Sequence, residues 1–209
     1  MTKNICVLVS GGGTNLQALI DAEKRGELGS GKITCVIASK ADAYALERAK
    51  QNGIKTRTLI RKEYSDIASY SKAMRDILLE EKADLVVFAG FMTILDENVC
   101  DAFKVKMINV HPALIPSFCG KVFYGLHVLE AALAKGVKVW GATVHFVTAE
   151  CDAGPIILQK AVEVKNGDTP EILQKRIMEN AEWKILPKAV QLFCDGKITV
   201  KDGVTIIAE

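Results

Sequence analysis

ICVLVSGGGTNLQALIDAEKRGEL, residues 5–28, passes from an apolar run (5–10) through three consecutive glycines into a helix pattern. A strand apolar at nearly every position must be covered on both faces, as in a parallel sheet between helices. The same unit recurs. KITCVIASK (32–40) reads as a strand, DAYALERAKQNG (42–53) as a helix ending on glycine, and TRTLI (56–60) as a short strand. A helix with 3.6-residue apolar spacing spans 64–83, and DLVVFAG (84–90) is the most continuous apolar strand. A helix near 95–104, the strand MINVH (107–111) and a helix over 126–136 follow. Strands at 139–148 and 156–164 and a long helix over 169–196 come last, before KITVKDGVTII. Pro187 is expected to kink or divide that last helix. Alternating strands and helices place the chain in the α/β class: a mostly parallel sheet, helices on both faces, one domain over 1–209. The direction of the strands from 139 onward stays open.

The formal charge of +2 gives no basic stripe for nucleic acid. No apolar run approaches the roughly 20 residues of a membrane span, and the N-terminal apolar run ends in a glycine loop rather than a cleavage site. Six cysteines, Cys6, Cys35, Cys100, Cys119, Cys151 and Cys194, are scattered without metal-ligand spacing. They are expected to be free thiols, mostly buried, in a cytoplasmic protein without a metal.

SGGGTN (10–15) joins the first strand to the first helix. Glycines let a ligand touch the backbone, and a helix N-terminus offers unpaired N–H groups and a positive dipole end. Thr14 adds a hydroxyl and Asn15 an amide. The loop therefore suits a phosphate. It is not a dinucleotide fingerprint, because Leu16 holds the third small position, and it is not a P-loop, because it has no lysine. What remains is a phosphate monoester on a small substrate, set against a plain strand-to-helix turn.

The strand MINVH ends on Asn109 and His111, with Pro112 and Pro116 just beyond. Residues two apart in a strand face the same side. An amide and an imidazole aimed together can hold an oxyanion, and histidine exchanges protons near neutral pH. A capping Asn and a half-buried His are the bland alternative. CDAGP (151–155) places Asp152 in a turn between two strands. A carboxylate near His111 would favour the charged imidazole and raise its pKa; an aspartate in a turn is ordinary by itself, and Asp152 takes its weight from the company of Asn109 and His111. No nucleophile elbow is present, and nothing near Cys119 would lower a thiol pKa. His127, at a helix start, and His145, within a strand, read as structural.

SGGGTNLQALIDA (10–22), SKADAYALERAKQNGI (39–54), FAGFMTIL (88–95), INVHPALIPSF (108–118) and HFVTAECDAGPIILQ (145–159) together resemble the folate-dependent phosphoribosylglycinamide formyltransferases. The resemblance implies a Rossmann-like formyltransferase fold. It implies transfer of a formyl group from 10-formyltetrahydrofolate, a reduced-folate co-substrate, to the amine of glycinamide ribonucleotide. Asn109 and His111 would hold the tetrahedral oxyanion, with Asp152 keeping His111 charged. Gly13, Thr14 and Asn15 would hold the ribonucleotide phosphate, and Glu182 would contact the ribonucleotide. Phe91, Met92, Thr93, Ile94, Leu95, Asn109 and Val147 would line the folate pocket. The chain departs from the family at Ile67, where some members carry a folate-holding arginine; Arg61, Lys62 and Lys72 are substitutes to consider. The loop SFCGKVFYG (117–125) is longer than in compact members, and a lid is one reading of it. Monomer and homodimer both stay open. A formyltetrahydrofolate hydrolase and a non-catalytic folate or nucleotide sensor are the competing expectations. Against the first counts the lack of an N-terminal regulatory domain; against the second, the joint presence of Asn109, His111 and Asp152. A methionyl-tRNA formyltransferase would need a basic C-terminal domain.

Overall fold

The computed structural model describes residues 1–120 and 125–208. In chain order the elements are β1 (Lys3–Val9), α1 (Thr14–Lys24), β2 (Gly31–Ala38), α2 (Tyr44–Gln51), β3 (Lys55–Thr58), α3 (Ile67–Glu80), β4 (Leu85–Phe88), α4 (Glu97–Ala102), β5 (Met107–His111) and α5 (His127–Lys135). Then come β6 (Val139–Phe146), β7 (Ile156–Glu163), α6 (Pro170–Ile177), α7 (Trp183–Cys194), β8 (Ile198–Lys201) and β9 (Val204–Ile207). The main sheet has seven strands in the order β3-β2-β1-β4-β5-β6-β7. Its first four pairings are parallel. The last two, β5–β6 and β6–β7, are antiparallel, which settles the direction of the final strands. The Rossmann-like expectation holds.

Two apolar layers sandwich the sheet. One, centred on Val7, Leu19, Val87, Ile108 and Leu186, packs α1, α2, α5, α6 and α7; the other, centred on Leu8, Met74, Val86 and Val99, packs α3 and α4. Crossovers from β1 and β4 leave toward opposite faces, so their C-terminal loops part and open a crevice. That crevice holds the site.

Two boundaries differ from the sequence reading. Helix α1 begins at Thr14, so Thr14 and Asn15 occupy its first turn rather than the loop. The C-terminal helix is interrupted by a π turn at Met178–Glu182, while Pro187 sits inside α7. A proline ring clashes with the carbonyl four residues back, here that of Trp183. The wide turn ends immediately before Trp183 and gives that carbonyl room to tilt. Among the described residues no helix is long and apolar enough to cross a membrane.

Candidate active site

Gly13 caps α1 in the left-handed region, at φ 71°. A Cβ there would lie 2.6 Å from the Cβ of Ala45 and 2.9 Å from its Cα, so α2 packs directly onto the glycine turn. The Ala45 amide bonds the Gly11 carbonyl (3.1 Å), and Arg48 Nε bonds that of Gly12 (2.8 Å). The turn is thus held from outside, while the first amides of α1 have no side-chain cap. The two polar side chains assigned to phosphate have other partners. Thr14 Oγ1 donates to Met178 Sδ (3.6 Å), and Asn15 Nδ2 to Glu182 Oε2 (2.7 Å). Asn15 Oδ1 is buried and has no partner among the described residues. Burial pushes the Glu182 carboxyl up, and the Asn15 amide only partly offsets this. The π turn is what brings Glu182 under the glycine turn.

At the end of β5, Asn109 and His111 share a face as expected, with Val110 directed into the opposite core layer. Asp152 lies in the connection after β6, which folds back over that face. Its Oδ2 is 3.6 Å from His111 Nδ1 and its Oδ1 is 3.6 Å from His145 Nε2. Gly120 N donates to Oδ2 at 2.9 Å. Burial raises the Asp152 carboxyl, but His145, the charge of His111 and the Gly120 amide outweigh it and hold the group at about 2. Gly154 makes the fold-back sterically feasible: a Cβ there would lie 1.8 Å from the Phe146 carbonyl oxygen. His111 Nε2 is 3.0 Å from the Phe118 carbonyl, so this N–H points to the loop rather than into open space.

His145, read from the sequence as a structural residue within a strand, lies buried in β6 and bonds the Phe146 carbonyl, and the fold also brings it to the site. It faces Asn109 across the β5–β6 pairing and touches Asp152. Histidine within a strand gave no local signal; only the pairing of residues 109 and 145 would have revealed it.

These groups line one cavity of about 540 Å³. Thr14, Asn15, Met178 and Glu182 form one end; Asn109, His111, His145 and Asp152 the middle; Phe88, Phe91, Met92, Thr93, Ile94, Leu95, Val147 and Thr148 the apolar end. The 91–95 segment is pinned by Met92 N donating to Ser10 Oγ (2.9 Å). Ile67 is 38% exposed at the start of α3, and neither it nor Arg61, Lys62 or Lys72 is among the lining residues. The suggested lid, 117–125, lies in part (121–124) outside the described residues. The cysteines are free thiols. Burial and then Asp152 push the Cys119 thiol up, against a nucleophilic role. Among the described residues no group of three or more His, Cys, Asp or Glu could hold a metal.

A family model described as formyl transferase matches residues 3–190. The chain belongs to the formyl transferase family. This formyl transferase is 39% identical over 205 residues to a phosphoribosylglycinamide formyltransferase of Haemophilus influenzae, covering 98% of this chain and 93% of that one. It is 43% identical over 199 residues to the human trifunctional purine biosynthetic protein adenosine-3, covering 95% of this chain but 19% of that one. Among solved structures, a glycinamide ribonucleotide transformylase 1 from Symbiobacterium toebii matches with a TM-score of 0.93 and 40% identity, covering 100% and 95% of the two chains. A formyltetrahydrofolate deformylase from Pseudomonas syringae matches with a TM-score of 0.89 and 25% identity, covering 100% of this chain and 67% of that one.

Proposed function

We propose that the protein transfers the formyl group of 10-formyltetrahydrofolate to the amine of glycinamide ribonucleotide, within the cytoplasm. One observation carries this reading: a single cavity joins an uncapped helix N-terminus, an Asn–His–Asp group and an apolar slot. Its volume of about 540 Å³ is that of a small-molecule site. The phosphate would sit on the amides of the Gly13–Asn15 turn, where the helix dipole favours an anion. Asn15 Oδ1 and Glu182 would accept from the ribonucleotide's donors. The pteridine would lie against Phe91 to Leu95 and Val147.

The amine would then attack the formyl carbon, breaking the carbonyl π bond and placing a negative charge on oxygen. Asn109 Nδ2 and the His111 imidazole are the donors for that charge. Asp152, ionised above a pH of about 2, would stabilise a cationic His111 and relay a proton from the attacking amine toward the departing nitrogen. Collapse returns the carbonyl and releases tetrahydrofolate. No acyl-enzyme is needed, in line with the raised Cys119 thiol.

Likeness to a deformylase supports a second reading, in which water replaces the amine. One assay separates the two: release of tetrahydrofolate from 10-formyltetrahydrofolate with and without glycinamide ribonucleotide. A transferase needs the ribonucleotide. Equal rates in both arms would favour the hydrolase, and no turnover in either would defeat both.

A further inference from the structure

His145 is almost fully buried, and its two ring nitrogens meet different partners. Nδ1 is 2.9 Å from the carbonyl oxygen of Phe146. A carbonyl only accepts, so Nδ1 carries a proton. Nε2 is 3.2 Å from Asn109 Nδ2 and 3.6 Å from Asp152 Oδ1. An amide NH2 only donates, so the shorter contact is a hydrogen bond only when Nε2 is bare. The carboxylate oxygen at 3.6 Å lies beyond hydrogen-bond range; its charge favours a proton on this nitrogen, and against it stands the shorter 3.2 Å contact with the Asn109 amide. The β6–β7 register slips between Val144 and His145, with the extra residue, Ile157, on β7.

We infer that His145 is held as the neutral Nδ1–H tautomer and locks the Asn109 amide, making it a positioning residue for the oxyanion donor. The lock works through hydrogen-bond valence. An amide nitrogen has two hydrogens; one is taken by Nε2, and the other is left for the substrate oxygen. A ring protonated at Nε2 would instead draw the Asn109 carbonyl toward itself and remove the donor from its place. Asp152, and through it His111, are the charged groups facing this ring. They stand on the side away from the Phe146 carbonyl that fixes the tautomer.

This inference rests on the oxyanion role proposed for Asn109, and its test has an arm independent of that role. In protein labelled with 15N-histidine, long-range proton–nitrogen spectra near pH 7.5 should show His145 protonated at Nδ1 and bare at Nε2. A cationic ring or an Nε2–H tautomer would overturn the lock whatever Asn109 does. Kinetically, His145→Phe should lower kcat roughly 10- to 100-fold, the size of effect that misplacing a reacting group produces. His145→Gln, whose carbonyl can still accept from Asn109, should recover most of it. In an Asn109→Ala background His145→Phe should cost less than about twofold, because coupled residues are not additive. A full, repeated loss in that background would mean that His145 acts elsewhere. If Asn109→Ala alone left kcat unchanged, the proposed reaction geometry would fail while the spectra still reported the tautomer. Should His145→Phe not fold, the spectra and His145→Gln, expected near the parent rate, still decide.

Discussion

The end of β1 approaches the cleft with backbone, whereas β5 and β6 approach it with side chains. At the first edge, glycines and amides form a surface whose shape is set by packing from α2. At the second, Asn109, His111 and His145 project from paired strands, and Asp152 is delivered by a connection that returns over them. A backbone surface tolerates only what fits its shape. A side-chain cluster depends on the proton and hydrogen-bond state of each member. The two edges should therefore fail differently when altered.

The largest effect is expected in the side-chain cluster. Asn109→Ala should reduce turnover roughly 10²–10³-fold, as loss of an oxyanion donor does, with little change in the ribonucleotide KM. A variant within threefold of the parent would remove Asn109 from that role. Gly13→Val comes next. It combines a positive φ with a contact of 2.6 Å to Ala45, a conformation costing on the order of 1–3 kcal/mol. The ribonucleotide KM should rise about tenfold or more, equivalent to ~1.4 kcal/mol, while the folate KM stays near the parent value. Equal rises would break the division between the edges.

Acid titration sharpens the contrast. The Asp152 carboxyl sits at about 2 in the fold against 3.8 for the free group. Its lowered value stabilises the fold above 3.8 and loses that contribution as the pH falls toward 2. The amount is ~2 kcal/mol. Urea unfolding between pH 5 and pH 2 should therefore show a steeper loss for the parent than for Asp152→Asn; parallel curves would disprove the linkage. The smallest effect is expected at Glu182, where the sign reverses. Burial raises this carboxyl, so holding it ionised costs stability as the pH climbs past its folded value. Glu182→Gln should gain in Tm relative to the parent, and more at pH 8 than at pH 5. Calorimetry at the two pH values measures it.

The same division governs what could be read in advance. The backbone edge was legible because its signals are local: an apolar strand, three glycines, then a helical period. Asn109 and His111 were legible because a strand alternates. The position of Asp152 opposite His111 was an expectation drawn from a family resemblance, since nothing local fixes how residues 147–155 fold back. His145 escaped because its meaning lies in its partner 36 residues earlier. The π turn escaped because Pro187 marks a defect in the helix without fixing which turn absorbs it.

The contact between the His111 ring and the Phe118 carbonyl, at 3.0 Å, has a selective consequence. Any atom that claims this N–H must first evict a neutral peptide oxygen. A formyl oxygen before attack is an acceptor of the same kind, so the swap gains almost nothing. Once that oxygen carries charge, its hydrogen bond is roughly twice as strong as a neutral one, and it wins the exchange. In the proposed reaction the loop would thus work as a reference acceptor: His111 would be withheld from the resting reactant and yield to the charged species, which is the differential affinity that lowers a barrier.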